Sequence, residues 1–193
     1  MERELILTGI GGQGVQLAAR TLAVAAMKEG REVVVFGMYE GVMRGGSTDA
    51  TVVIGDGPVE TPPTVDETWS ALAMHHQYWP DVRERLRKGG VVVIDSSVFL
   101  GDPGIPGCEV VAVDASARAQ HLGHARGGSM IALGAYAAVT GVVSLDSLVA
   151  AAREVLPPYR SQHAEANIAA LRAGHAGYST QVPAWPSRQQ ARI

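Results

Sequence analysis

Leu5-Ile6-Leu7-Thr8-Gly9-Ile10-Gly11-Gly12-Gln13-Gly14-Val15 is an apolar run that breaks into glycines and then resumes with helical spacing. It reads as a strand, a tight turn and the start of a helix. Gly9, Gly11 and Gly14 fall at the glycine positions of G-x-G-x-x-G. In that motif one glycine permits the turn, one lets the backbone approach a ligand, and one lets helix and strand pack closely. N–H groups at the start of the following helix lack intrahelical acceptors and favour an anion. The opening strand therefore ends in a candidate ligand site or subunit contact built from Gly9, Gly11, Gly12, Gln13 and Gly14.

A dinucleotide fold places an acid at the end of its second strand, roughly 20 residues on, to hold a ribose hydroxyl. Here that strand, Val33 to Phe36, ends in Gly37; Glu32 precedes it and Glu40 lies in the loop beyond. Autonomous NAD binding is therefore poorly supported, while binding of some other nucleotide or anion stays open.

Outward from the turn, Val15, Leu17, Ala18, Leu22, Ala25 and Ala26 recur at helical spacing as far as Gly30, the expected stop. The next strand, Glu32 to Phe36, is an unbroken apolar run, which predicts a parallel strand covered on both faces. Gly37 to Ser47 is a loop whose Met38, Tyr39, Val42 and Met43 are too apolar for a solvated linker. It reads either as a flap on its own domain or as a surface meeting a partner chain or extended cofactor. Arg44, Gly45, Gly46 and Ser47 suit an anion, because a guanidinium fork binds in a bidentate manner where glycine leaves room; a structural ion pair is the alternative.

Thr48 to Ile54 alternates as a strand, and Trp69 to Met74 is a core strand running into His75 and His76. No acid or cysteine at ligand spacing accompanies those histidines, so a metal is not expected there; one of them could face the site at the strand ends. Pro80 to Lys88 reads as a charged helix stopped by Gly89-Gly90. Val91 to Ile94 is a buried strand ending in Asp95-Ser96-Ser97, which either lines the crevice or caps a helix. A strand over Glu109 to Val113 and a helix from Asp114 to His121 follow. A second Arg-Gly-Gly-Ser, Arg126 to Ser129, opens the apolar helix Met130 to Thr140, with Ser129 either its N-cap or part of a second anion site. Helices over Ser144 to Leu156 and Gln162 to Ala173 complete the pattern.

These elements predict an α/β fold: a Rossmann-like, largely parallel sheet flanked by helices, with the C-terminal helices packed on it. Residues 1–176 form one domain in this reading, and 177–193 an extended or disordered tail, or one draped over a partner. Hydrophobic residues make up 47% of the 193 and charged ones 18%, which fits a domain with a large core. With only 5% aromatics, small aliphatic side chains must fill that core. A formal charge of -3 with scattered cations gives no footprint for nucleic acid. The single cysteine, Cys108, is consistent with a reducing cytoplasm and cannot by itself hold an iron–sulfur cluster. No apolar run reaches the length of a membrane span, and no signal peptide is recognisable.

The Gly9 to Val15 turn, the Ala-rich helix and Arg44-Gly45-Gly46-Ser47 before an alternating strand together resemble the gamma subunit of 2-oxoacid:ferredoxin oxidoreductases. The likeness runs from about Glu4 to about Gly174 and includes Gly89 to Asp95 and Met130 to Ala135. Where that family often carries Tyr-Gly-Pro-Glu-x before Arg-Gly-Gly, this chain has Tyr39-Glu40-Gly41-Val42-Met43. The resemblance implies one part of a complex with alpha and beta subunits, with or without a ferredoxin-like delta subunit. Such a complex uses thiamine diphosphate, Mg2+, iron–sulfur clusters and coenzyme A to oxidise a 2-oxoacid to acyl-CoA, and passes the electrons to ferredoxin. This chain carries no thiamine motif: Gly55-Asp56-Gly57 reads as a turn, and the single asparagine, Asn167, is far from it. No nucleophile–base pair is recognisable and no catalytic residue is assigned. The implied role is to cover the cofactor-bearing subunits and shape the substrate or coenzyme A entrance with the two glycine loops.

Overall fold

The computed structural model describes residues 1–39, 46–62 and 64–185. Strand β1 (Glu2–Ile10) sets the two faces of the molecule. Because strand side chains alternate, Leu5 and Leu7 enter one core while Ile6 enters another on the opposite side. Helix α1 (Val15–Lys28) follows. Strands β2 (Glu32–Tyr39) and β3 (Ser47–Gly55) come next, then β4 (Thr68–Ala73), a 3-10 turn over His76–Tyr78 and helix α2 (Trp79–Arg83). The second half holds β5 (Leu86–Asp95), β6 (Glu109–Val113), α3 (Ala115–His121), α4 (Gly128–Thr140), α5 (Leu145–Glu154) and α6 (Ala164–His175).

The six strands lie in the order β2-β3-β1-β4-β5-β6. β1, β4, β5 and β6 are parallel neighbours, and β3 runs antiparallel to both β1 and β2. The α/β class and the mostly parallel sheet agree with the sequence reading, but β2 does not. Among the described residues it is an edge strand paired only with β3, and Val35 and Phe36 are 40% and 38% exposed. A continuous apolar run fits an edge strand as well as a central one, and only the partner strand tells them apart.

The region after β4 also departs from expectation. The helix spans five residues, and Leu86 to Gly90, read as helix and stop, joins β5. The β4–β5 register shifts between Thr68↔Leu86 and Ser70↔Val91. Gly89 takes up a φ of +78° in this irregularity, and a Cβ at Gly90 would overlap the Trp69 carbonyl. The glycine pair therefore serves a strand irregularity.

Every residue of α4 is buried. It lies in the main core, to which Leu133, Tyr136 and Val139 contribute buried side chains. The Tyr136 hydroxyl is 2.9 Å from Ser70 Oγ, and burial pushes its ionisation above the ordinary tyrosine range. α6 packs on α4 backbone to backbone: a Cβ at Gly134 would overlap the Leu171 carbonyl, and one at Gly174 the Ile131 carbonyl. Residues 178–185 lie across the end of α4 on their own domain. Val139 O accepts from the Gln181 and Val182 N–H groups, Ala184 is fully buried, and Arg31 stacks 3.7 Å over the Trp185 ring. The remaining tail, 186–193, lies outside the described residues.

Gly174→Ala should lower unfolding stability by about 3 kcal/mol in urea titration, because the α4–α6 backbones cannot separate without opening the core. A second prediction concerns Glu29, at the end of α1. Burial pushes its carboxyl up, but the Ser144 N–H at 2.7 Å, the Ser147 and Ser144 hydroxyls and Arg31 outweigh that, leaving it below 4.5. The folded state therefore binds fewer protons, so the advantage over Glu29→Gln is full above pH 4.5 and is lost as pH falls through the lowered folded value. Urea titrations at about pH 7 and about pH 3 should show that loss.

Candidate functional site

The pairing Ile10↔Ser47 sets the end of β1 beside the start of β3. The turn after β1 then touches the residues before β3, and the Gly11 N–H donates to Gly46 O at 2.9 Å. Gly9, Gly11, Gly12, Gln13, Gly14, Gly46 and Ser47 are thereby brought together. Arg44 and Gly45 lie outside the described residues.

Within the turn the residues divide between packing and exposure. Gln13 is a clip: its Oε1 accepts from the Ile10 N–H at 2.7 Å and its Nε2 donates to Met74 O at 3.1 Å, tying β1 to β4. A Cβ at Gly9 would lie 2.6 Å from Gln13 Oε1, so the clip needs glycine there. Gly12 is exposed at φ +104° with open space around it, and Gly14 caps α1 at φ +84°. Among the described residues, no acceptor engages the N–H groups of Gly12, Val15 or Leu17. Such unpaired N–H groups at a helix start favour an anion. Gln16 Nε2 holds α1 to β3 by donating to Asp49 O at 2.7 Å.

The strand beside β1 here is antiparallel β3, so the tip of β2 lies two strands from the glycine turn, about 10 Å away. In a dinucleotide fold that tip supplies the ribose-binding acid. This geometry disfavours the dinucleotide reading further.

The second Arg-Gly-Gly-Ser meets the first glycine turn. Gly127, not Ser129, takes the N-cap position of α4. Ser129 Oγ is buried without a partner among the described residues and faces Gly14, where a Cβ would come within 2.6 Å of it. Asp95 is fully buried as a cap for α3: it accepts from the Ser116 N–H and hydroxyl and from the Ser97 N–H. Asp114, at the N-cap position of α3, makes no side-chain capping bond.

His75 and His76 stack with ring centroids 4.3 Å apart beyond β4. Burial, and then the charge of His76, hold the His75 imidazole below its ordinary 6.5. His75 Nδ1 accepts from the Gln77 N–H, and His76 Nδ1 lies 3.3 Å from Val98 O. Among the described residues, no three His, Cys, Asp or Glu side chains gather to hold a metal, and no helix is long and apolar enough to cross a membrane. Asp56 of the Gly-Asp-Gly turn pairs with Arg31, Asn167 bonds His124, and the Cys108 thiol donates to Arg87 O.

On the opposite sheet face a cavity of about 730 Å³ opens beside Ser47. Asp49 lines it. The polar alternation Ser47, Asp49, Thr51 reads in sequence as an ordinary solvated strand face, so the cavity had no signature of its own.

The sequence model of the pyruvate ferredoxin/flavodoxin oxidoreductase family matches residues 4–177. The chain belongs to that family. The 2-oxoglutarate synthase subunit KorC of Methanothermobacter thermautotrophicus is 30% identical over 181 residues, covering 90% of this chain and 94% of that protein. The pyruvate synthase subunit PorC of the same organism is 33% identical over 157 residues, covering 80% and 85%. Among solved structures, the keto/oxoacid ferredoxin oxidoreductase gamma subunit of Geobacter sulfurreducens matches with a TM-score of 0.76 at 30% identity, over 91% of this chain and 95% of its own. For this oxidoreductase-family chain the glycine turn is a packing device as well as an exposed surface. Gly14→Ala should cost about 2 kcal/mol in urea titration, from the left-handed backbone and the Ser129 hydroxyl. Adding Ser129→Gly should restore the steric part and leave the backbone part, which a double-mutant cycle separates.

Proposed function

We propose that the chain is the gamma subunit of a cytoplasmic 2-oxoacid:ferredoxin oxidoreductase, working with alpha and beta subunits. Its glycine loops form the wall of the coenzyme A or substrate entrance. The observation that carries this reading is the contact of the two loops at Gly11 and Gly46, which turns two separate motifs into one surface. Family membership supplies the reaction class: a 2-oxoacid loses CO2, its acyl group passes to the coenzyme A thiol, and two electrons leave for ferredoxin.

Thiamine diphosphate with Mg2+ supplies the decarboxylation chemistry and iron–sulfur clusters the electron path, and both sit on other subunits in this proposal. The residues here support that assignment. Asp56 and Asn167 are committed to Arg31 and His124, and one cysteine cannot ligate a cluster. This chain contributes binding and orientation. The N–H groups of Gly12, Val15 and Leu17 favour a phosphate or carboxylate oxygen, and the guanidinium of Arg44, in the Arg44-Gly45-Gly46-Ser47 motif of the sequence, suits the same kind of group.

Relatives named for 2-oxoglutarate and for pyruvate resemble this chain to a similar degree, 30% and 33%. We therefore place selection of the 2-oxoacid outside it. The purified chain should bring larger subunits, iron and thiamine with it. In that complex Arg44→Ala should raise the KM for coenzyme A or for the 2-oxoacid about tenfold with kcat little changed. Unchanged KM values for both in an intact complex would remove the loops from the entrance.

A further inference from the structure

The main core, with α1, α4, α5 and α6, covers one face of the sheet, whereas the cavity of about 730 Å³ leaves part of the other face open. Its floor is apolar, with Ile6, Phe36, Val65 and Val82, and Phe36 remains 38% exposed. Among the described residues its charge is one-sided: Asp49, Asp66 and Asp81 line it, and the one lining cation, Arg85, donates to the Val65 carbonyl.

At the Ser47 end, Asp49 lines the cavity. Thr8 and Asp49 are direct partners across β1 and β3, on the face that carries Ile6. Thr8 is 0% exposed, and its Oγ1 has no partner among the described residues. Asp49 Oδ1 is likewise buried and unpartnered, while its other oxygen accepts from Ser47 Oγ at 3.1 Å. A buried carboxylate oxygen without a donor is costly to maintain, so the arrangement is complete only when a donor arrives. Carboxylates at Asp66 and Asp81 bias that donor toward a cation, and a guanidinium or ammonium supplies the N–H group that Asp49 lacks.

We propose that this groove seats an arginine or lysine side chain, flanked by apolar residues, from a cofactor-bearing partner subunit. The proposal rests on the gamma-subunit reading given above. A protein occupant fits better than a free amine because the groove begins at Ser47, a residue of the proposed contact loops, so one partner covers both without a gap. A basic side chain on an apolar floor, ringed by carboxylates, is also the composition of an interface anchor.

The test uses the complex assembled from this chain and the larger subunits that co-purify with it. Dissociation of the chain is followed by biolayer interferometry from about 50 to about 300 mM NaCl. Wild type should weaken as salt rises. The isosteric Asp49→Asn should bind about tenfold more weakly with a flatter salt dependence, and Asp49→Lys about a hundredfold more weakly. Circular dichroism of the free chains should be unchanged. A photo-crosslinking residue in place of Phe36 should label a partner peptide containing arginine or lysine. Wild-type affinity in Asp49→Asn and Asp49→Lys, or crosslinks confined to this chain, would overturn the groove assignment while leaving the subunit reading standing. A wild-type chain that joined no larger subunit would overturn the subunit reading, and this proposal with it.

Discussion

The antiparallel register of β1 on β3 is the constraint on which the rest depends. With Ile10 opposite Ser47, the turn that ends the first strand must touch the loop that begins the third. The same register sets Thr8 beside Asp49 and makes β2 an edge. A one-residue slip would carry Leu5 and Leu7 out of the main core, so burial on both faces holds the register in place.

Around that pairing the chain uses small residues to bring backbones together. Gly9 admits the Gln13 clip, Gly14 meets Ser129, Gly90 meets β4, and Gly134 and Gly174 let α4 and α6 touch. A core short of aromatics reaches high density in this way, through close approach of main chains. The cost is intolerance: at most of these positions a single methyl group meets backbone, which does not yield as a flexible side chain does.

The division of labour proposed for the complex matches this architecture. The helices enclose one side of the sheet, and the strand ends and the opposite face are left for contact. Several polar side chains are committed to structure, as with Asp95 under α3, Asn167 on His124 and Asp56 on Arg31. Among the described residues, backbone N–H groups at the start of α1 and one Asp49 oxygen in the groove are without a partner, and both suit recognition by another molecule.

Local chemistry alone was enough to read the strand–turn–helix at Gly9 to Val15, the buried helix after Arg126-Gly127-Gly128-Ser129 and most strands. Each is specified by neighbours in the chain, through apolar period and glycine's freedom at the turn. Only the tertiary structure decided that β3 inserts between β1 and β2, that Gly89-Gly90 serves a strand, that Ser129 faces Gly14 rather than capping its helix, and that residues 178–185 fold back onto α4. Those outcomes depend on which distant backbone lies alongside, and the energy of such pairings belongs to no single stretch of sequence.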